Sequence, residues 1–546
     1  MRKKLGLALA AVMTMSTLAM AGCGGGNEDD PLAGHEDETI LYVGVYEGGC
    51  GVDWIYKAKE AIEKRYEGIS LEEGKTGLYI DIRPDKGYSG SSLSTGIASA
   101  DREVYVTESF TAYNQLARQG YLLDITDIVT ETLEGETKSI GGVNGKMHSS
   151  YKDWFEIDGK FYGLPHAQSG GVISYDVDLF ENKNFYFAEN GVDFVTSKTQ
   201  KRSAGPNGEF GDYDDGLPAT YDDFYKLCNR IYGSTVTPLL WSGPLKVYVN
   251  NMTSTAFVDY EGYDKAVSHF NYSGTIDVVT GFNGDTPVIS STTVSQADGY
   301  KTFQQPGLYY ALQFLETIVK NDNWYDYNVC FGAGYDHLAT QEQFVYSTPS
   351  PYIQDAAMIV EGEYWYNEAL SAREACAEEY PTENERRFAV MPMPKQSKAK
   401  AGAPTLTDGN KSTVFIMSNI EEFKEDIAKE FVQYLFTDES LSYYTSKTSL
   451  LCPYDYEMSE EDYEAMSYYG KSLYEMKKEG AKYVCSLNQT DVMLKSPGLS
   501  RTTELWRTTA GNSPIETFNR GDKTAKEYFL ALGEYYSPSI WASNFA

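Results

Sequence analysis

Apolar and polar positions along the chain follow two alternating periods. Thr39, Ile40, Leu41, Tyr42, Val43, Gly44 and Val45 form a short β-branched and aromatic run, the pattern of a buried strand. Glycines at 48, 49 and 51 break it. Asp53 then stands where a helix cap is expected, with Ile55, Ala58, Ile62 and Tyr66 at helical spacing behind it. Residues 78–82 and 103–107 read as the next two strands. A helix around Tyr113, Leu116 and Ala117 follows, stopped by Gly120. Strand, loop, helix, strand and helix make the βαβ pattern of a parallel sheet, in which ligands sit at the carboxyl ends of strands. That rule puts Tyr46, Glu47, Glu108 and Ser109 at a candidate ligand edge. Further along, 182–218 is a long insertion rich in Gly, Asn and Asp, and 271–302 is strand-and-turn material. Residues 308–319 return to helical spacing, 395–404 form a basic loop, and 420–436 give the clearest amphipathic helix, with Phe423, Ile427, Phe431, Val432 and Leu435 on one face. No internal repeat is visible.

The N-terminus bears on compartment. Arg2, Lys3 and Lys4 precede an uncharged apolar stretch over 5–21, which ends in Met20-Ala21-Gly22-Cys23 and three glycines. This is the layout of a secretory signal. With a cysteine directly after Ala-Gly, it resembles a bacterial lipoprotein signal, whose thiol takes a lipid and becomes the mature N-terminus. Residues 1–22 are then a signal peptide, Cys23 the lipidation site and 23–38 a flexible tether to the outer face of the cytoplasmic membrane. No later apolar run is long enough to span a bilayer.

Composition narrows the chemistry. A net charge of -33, spread along the chain, repels phosphate backbones and argues against nucleic acid. It favours a neutral or cationic solute over an anion. Tyrosine is conspicuous, 45 against 24 Phe, and its apolar face with a polar tip suits a wet cleft. Besides Cys23, the cysteines at 50, 228, 330, 376, 452 and 485 are dispersed and form no Cys-x-x-Cys pair, which removes a zinc or thioredoxin reading; disulfides and buried thiols both stay open. The loop at 48–51 lacks the third glycine of a dinucleotide fingerprint. Gly145-Lys146 and Gly470-Lys471-Ser472 lack the leading glycine of a phosphate loop, because Ile140 and Ala465 stand there. Asp212, Asp214 and Asp215 have neither EF-hand spacing nor its terminal glutamate, so they are read as a solvated loop and no metal or cofactor is expected. None of the five histidines sits in a His-Glu-x-x-His pair, and no Gly-x-Ser-x-Gly occurs.

Several segments, in one order, resemble the extracellular solute-binding proteins of carbohydrate ABC importers, the maltose-binding-like class. They are Gln119-Gly120-Tyr121-Leu122-Leu123-Asp124-Ile125-Thr126-Asp127, Asp158-Gly159-Lys160-Phe161-Tyr162-Gly163-Leu164-Pro165 and Ile173-Ser174-Tyr175-Asp176. Leu217-Pro218-Ala219-Thr220-Tyr221 and Ala356-Ala357-Met358-Ile359-Val360-Glu361-Gly362-Glu363-Tyr364-Trp365 follow, then 388–394 and the 420–436 helix. The glycine loop at 48–51 and the middle insertion depart from shorter family members. The resemblance implies a two-lobed α/β periplasmic-binding-protein-like fold of type II, with the ligand cleft at the hinge. Lobe one takes 39–165 and 407–444; lobe two takes 166–406 and 445–546.

The resemblance further implies an expected monomer that catalyses nothing and hands a carbohydrate to the transmembrane subunits of an importer. Tyr364 and Trp365 become the expected stacking platform of the second lobe. Glu47, Glu108 and Glu363 are candidate acceptors for sugar hydroxyls. His166 and Gln168 follow Pro165 where the chain crosses between lobes, and Asp408 marks the return. A peptide or other non-sugar solute is the alternative ligand. A surface glycoside hydrolase, which needs only two carboxylates placed by the fold, is the alternative activity.

Overall fold

The computed structural model describes residues 32–108, 111–382, 384–409, 411–511 and 513–545. Cys23, with the signal and most of the tether, lies outside the described residues, as does Ser109.

Two sheets organise the chain. In the first, the order is Leu78–Asp85, Thr39–Tyr46, Val104–Glu108, Ser412–Ile416 and Leu164–Pro165. The first three strands run parallel, Tyr46 facing Asp85 and Val45 facing Val106, so Tyr46, Asp85 and Glu108 finish at one edge. Ser412–Ile416 is antiparallel to its neighbours, with Ser412 opposite Glu108 and Thr413 opposite Pro165. The chain therefore crosses from that same edge both after Pro165 and before Ser412.

The second sheet has the order Phe388–Met391, Gly171–Asp176, Ala356–Gly362 and Thr237–Leu240. Ala356–Gly362 lies parallel to Thr237–Leu240 and antiparallel to Gly171–Asp176, with Gly362 opposite Gly171. All seven residues of that strand are buried, as expected of a sheet covered on both faces. A Cβ on Gly171 would lie 2.5 Å from the Asn251 carbonyl carbon, so glycine there lets the helix Val247–Glu261 rest directly on the sheet. The residues after Leu240 and Gly362 emerge beside Gly171, facing the first sheet's carboxyl edge. The result is two α/β lobes with a cleft at their joining strands.

Local sequence chemistry explains many elements. Asp158 and Gly159, at φ 53 and 80, make the two-residue turn joining Glu156–Ile157 to Lys160–Phe161. Thr220 caps the helix Tyr221–Tyr232 by accepting from the Asp223 amide. Residues 271–302 contain the hairpin of Gly274–Asn283 and Thr286–Val294.

Other expectations are corrected. Asp53 opens a 3₁₀ turn, Asp53–Ile55, instead of capping the α-helix Tyr56–Arg65 with its side chain. Phe423 is 38% exposed in the first turn of Glu422–Tyr434, while Ile427, Phe431 and Val432 are buried. The middle insertion is not simply solvated, because Phe185, Tyr186, Phe187 and Asp214 are buried within it. The six described cysteines are free thiols, five of them buried. No described helix is long and apolar enough to cross a membrane.

Candidate functional site

The first lobe's wall is built on the ends of its strands. Tyr46 and Glu108 close Thr39–Tyr46 and Val104–Glu108, and Lys411 stands just before Ser412. The Lys411 ammonium donates to Glu108 Oε1 at 3.1 Å and lies 3.9 Å from the ring centroid of Tyr364, a residue of the opposite lobe. Burial works against that ammonium, but Tyr364, Glu108 and Cys50 lift its pKa above the lysine range. Burial first, then the charge of Glu108, pushes the Tyr46 phenol up to about 12. Glu47 is exposed on the following loop. In that loop the Gly49 backbone packs on Tyr364: a Cβ there would lie 3.3 Å from Tyr364 Cδ2.

The second lobe's wall is richer in acids and rings. Tyr364 is half-buried and shares a hydrogen bond with the Tyr248 hydroxyl, at the start of Val247–Glu261. Glu361 is completely buried, and its Oε1 has no hydrogen-bond partner. Burial, reinforced by the Glu368 charge, drives its pKa well above the carboxylate range. Glu368 behaves oppositely. Burial alone would raise it, but His337 and Gln341, the latter donating to Oε2 at 2.7 Å, hold it below the usual value. His337 is raised in turn by its hydrogen bond to Glu368. Gln341 Oε1 and His337 Nδ1 are buried and also without partners. The field of Glu368 reaches Tyr46 and Cys50 across the cleft. Unspent hydrogen-bonding capacity thus collects beside an aromatic face, an arrangement suited to a neutral, hydroxylated ligand.

The floor differs. His166 stacks on Trp54 at 4.7 Å and meets Tyr444 edge-on; it is buried, and burial lowers its pKa to about 3, so it is a neutral packing residue. Tyr151 donates to Asp408 at 2.8 Å and reaches Gln168 Oε1 at 3.5 Å, tying the two crossings together. Glu363 accepts from the Gly170 amide at 3.1 Å and from the Tyr483 hydroxyl. Against those two bonds, burial pushes its pKa up to about 8. His166, Gln168, Glu363 and Asp408 are all buried in the hinge; Glu363 and Asp408 are paired within it, whereas both His166 ring nitrogens and Gln168 Nε2 have no partner.

Trp365 requires a correction. Its ring is 0% exposed, its Nε1 donates to Ser174 Oγ at 2.9 Å, and Phe344, Phe388 and Tyr469 surround it. It belongs to the second lobe's core, because a short helix, Trp365–Glu368, starts here and turns it inward. Tyr364, not Trp365, faces the other lobe. The sequence reading missed Lys411, Tyr248, Glu361, Glu368, His337 and Gln341. The one available signal was Glu361, an acid in an otherwise apolar strand.

The cleft is narrow here. A cavity of about 30 Å³ lies against Tyr46, Trp54, Glu108, His166, Lys411 and Tyr444, room for a water at most. A far larger groove of about 1010 Å³ runs between residues 135–138 and 455–478. It is away from the strand ends, and its Lys146 is already paired with Glu136 and Asp438, both at 2.7 Å. The converging strand ends remain the stronger site.

Solved structures with the same fold include a chitin oligosaccharide binding protein, 15% identical, with TM-score 0.55 over 92% of this chain and 98% of that one. A solute-binding protein in complex with raffinose is 14% identical, with TM-score 0.52 over 92% of this chain and 100% of the other. A protein from Caldanaerobius polysaccharolyticus, studied for xylan utilisation, is 11% identical, with TM-score 0.55 over 91% and 100%. These likenesses show the two-lobed periplasmic-binding-protein-like fold. No curated protein matches in sequence. The family model of the bacterial extracellular solute-binding proteins matches residues 53–441, most of the length, and the chain belongs to that family.

Proposed function

We propose that this protein captures a carbohydrate outside the cell and delivers it to an ABC importer, without catalysing any reaction. The observation that carries the reading is the second lobe's wall: the Tyr364 face, flanked by Glu361, Gln341 and His337 with hydrogen-bonding atoms left over. A pyranose offers C–H patches for the ring and hydroxyls for those atoms. Structural neighbours that bind chitin oligosaccharide or raffinose add support. The ligand-binding set is Tyr364 and Tyr248 with Glu361 and Glu368 from one lobe, and Tyr46, Glu108 and Lys411 from the other. Glu47 flanks it at the rim. His166, Gln168, Glu363 and Asp408 support the hinge.

Residues 39–165 with 407–444 form the first lobe, and 166–406 with 445–546 the second. Because Gly49 and Lys411 rest on Tyr364, the lobes must separate to admit a sugar and close again around it. The monomer is anchored by lipid at Cys23, and replacing that residue by Ala releases it.

Titration calorimetry against a panel of neutral oligosaccharides tests the reading, with peptides as the control panel and chromatography to follow turnover. Reversible, stoichiometric binding of a saccharide without shorter products is expected, with a smaller radius of gyration at saturation. Peptide binding, or steady release of shorter sugars, overturns it.

A further inference from the structure

The insertion between the helices Val177–Lys183 and Tyr221–Tyr232 holds an acidic cluster with no part in the cleft. Asp212, Asp214 and Asp215 each bring a carboxylate oxygen within 4.8 Å of the other two. Acidic clusters are common on surfaces, but this one is built. Asp214 is 0% exposed. Its Oδ2 accepts from the Asn207 amide at 2.9 Å, while Oδ1 has no partner. Asp215 repeats the pattern, with Oδ2 accepting from the Gly211 amide at 2.9 Å and Oδ1 unpartnered. Asp212 is held by Asn207 Nδ2 at 2.6 Å and the Asp214 amide at 3.3 Å.

Glycine at 205 lets the loop backbone close on these oxygens. A Cβ on Gly205 would lie 2.3 Å from both the Asp214 carbonyl oxygen and Asp214 Oδ1. Two oxygens of one residue therefore converge on a spot that any side chain at 205 would fill. Gly205 is also at φ +42, a conformation other residues rarely adopt. The charge of Arg202 acts on Asp215. Its guanidinium is engaged by Glu181 at 3.5 Å and by the Tyr186 ring at 3.6 Å.

Three carboxylates this close, one of them buried, need a proton or a cation. The proton route shows in Asp214, which burial and its acidic neighbours push up to about 8, against the Asn207 hydrogen bond. The cation route fits the geometry. Calcium takes oxygen ligands at about 2.3–2.6 Å, so ligands on opposite sides of one ion stand up to about 5 Å apart. Magnesium demands shorter, near-octahedral ligation and gives up its waters reluctantly.

We propose that the 205–216 loop is a calcium site, with Asp212, Asp214 and Asp215 as its carboxylate ligands. An ion there fastens the insertion beside the path to the hinge. The Gly402 amide donates to the Pro206 carbonyl at 3.3 Å, and residue 402 leads into Thr405–Asp408, the strand that enters the second crossing.

The test uses the full chain stripped with EDTA and titrated with calcium chloride by calorimetry, beside thermal melts. One ion per chain and a higher melting midpoint with calcium are expected, with no shift from magnesium at the same concentration. Asp214→Asn mimics the protonated acid. It should melt above the wild type in EDTA and below it in calcium, with affinity reduced at least about tenfold. If that variant does not fold, the half-buried Asp215→Asn gives the same affinity readout. No heat and no shift in the wild type up to roughly 10 mM, beyond the weakest extracellular calcium modules, overturns the site. So does an equal response to magnesium, or a calcium shift retained in the Asp214→Asn/Asp215→Asn double variant.

Discussion

Glu361 and Glu363 stand two residues apart, and both are buried, yet their carboxyls are satisfied differently. In the hinge the two acids are paired, Glu363 with Tyr483 and Gly170 and Asp408 with Tyr151, although both ring nitrogens of His166, Gln168 Nε2 and Ser169 Oγ have no partner. In the cleft wall, Glu361 Oε1, Gln341 Oε1 and His337 Nδ1 have none. An unmade hydrogen bond in a buried place costs free energy, so the Glu361 carboxyl carries a deficit that the Glu363 carboxyl does not. Burial of a polar side chain is therefore a poor sign of ligand binding. Capacity left over after burial, beside a ring such as Tyr364, is a better one.

The comparison breaks most visibly at Trp365. As a core residue it makes no ligand contact, and Trp365→Ala should cost about 3–5 kcal/mol of stability. Denaturant melts without ligand read this directly. A variant that melts normally but binds weakly would return Trp365 to the cleft.

The hinge gives a somewhat smaller, pH-dependent effect. Glu363 titrates near 8 in the folded protein, above the ordinary carboxyl value of 4.5, because it is buried. The folded state then holds a proton that the unfolded state has lost. Stability from this group is complete below about pH 4.5, declines as pH rises towards 8 and is absent above that, at up to about 1.4 kcal/mol per pH unit. Glu363→Gln keeps the neutral form, its amide donating to Tyr483 while its oxygen accepts from Gly170. The wild type should therefore lose stability relative to the variant between pH 5 and 8, by a few kcal/mol in total. Glu261, pushed by burial to about 7, slopes the same way in both proteins and cancels in the difference. Parallel profiles from urea melts across that range would mean that Glu363 stays ionised.

Local rules carried far along this chain, and their failures share one cause. The strand Thr39–Tyr46, the Asp158-Gly159 turn and the Thr220 cap each depend on a few adjacent residues, and all can be read from the sequence. The cleft walls cannot. Tyr248, His337, Glu368 and Lys411 come from four separated segments that only the folded lobes bring together. The choice between Tyr364 and Trp365 was hidden because strand alternation stops at Gly362 and a helical turn begins at Trp365. Neither period predicts which neighbour faces out across that change. The insertion misled for a different reason. Its Gly, Asn and Asp content suggests solvent, yet Phe185, Tyr186 and Phe187 anchor it and Asp214 is turned inward.

The smallest of these effects falls on Tyr364 and sharpens the contrast with its neighbour. Its ring is half-buried and held between Gly49 and the Lys411 ammonium, at 3.9 Å from the centroid. Truncation to Ala removes that cation–π contact, worth about 0.5–2 kcal/mol, while Lys411 keeps Glu108 at 3.1 Å. Stability should therefore fall far less than in Trp365→Ala. Binding should suffer more clearly. A sugar patch of roughly 80 Å², at about 25 cal/mol per Å², gives about 2 kcal/mol on the ring, which is more than tenfold in Kd. Tyr364→Phe keeps the face and loses only the hydroxyl shared with Tyr248, so its affinity should stay within about tenfold of the wild type. Calorimetric titration of both variants with the identified sugar separates face from hydroxyl. Normal affinity in Tyr364→Ala would remove the ring from the site and leave the unpaired atoms of Glu361, Gln341 and His337 to hold the ligand alone.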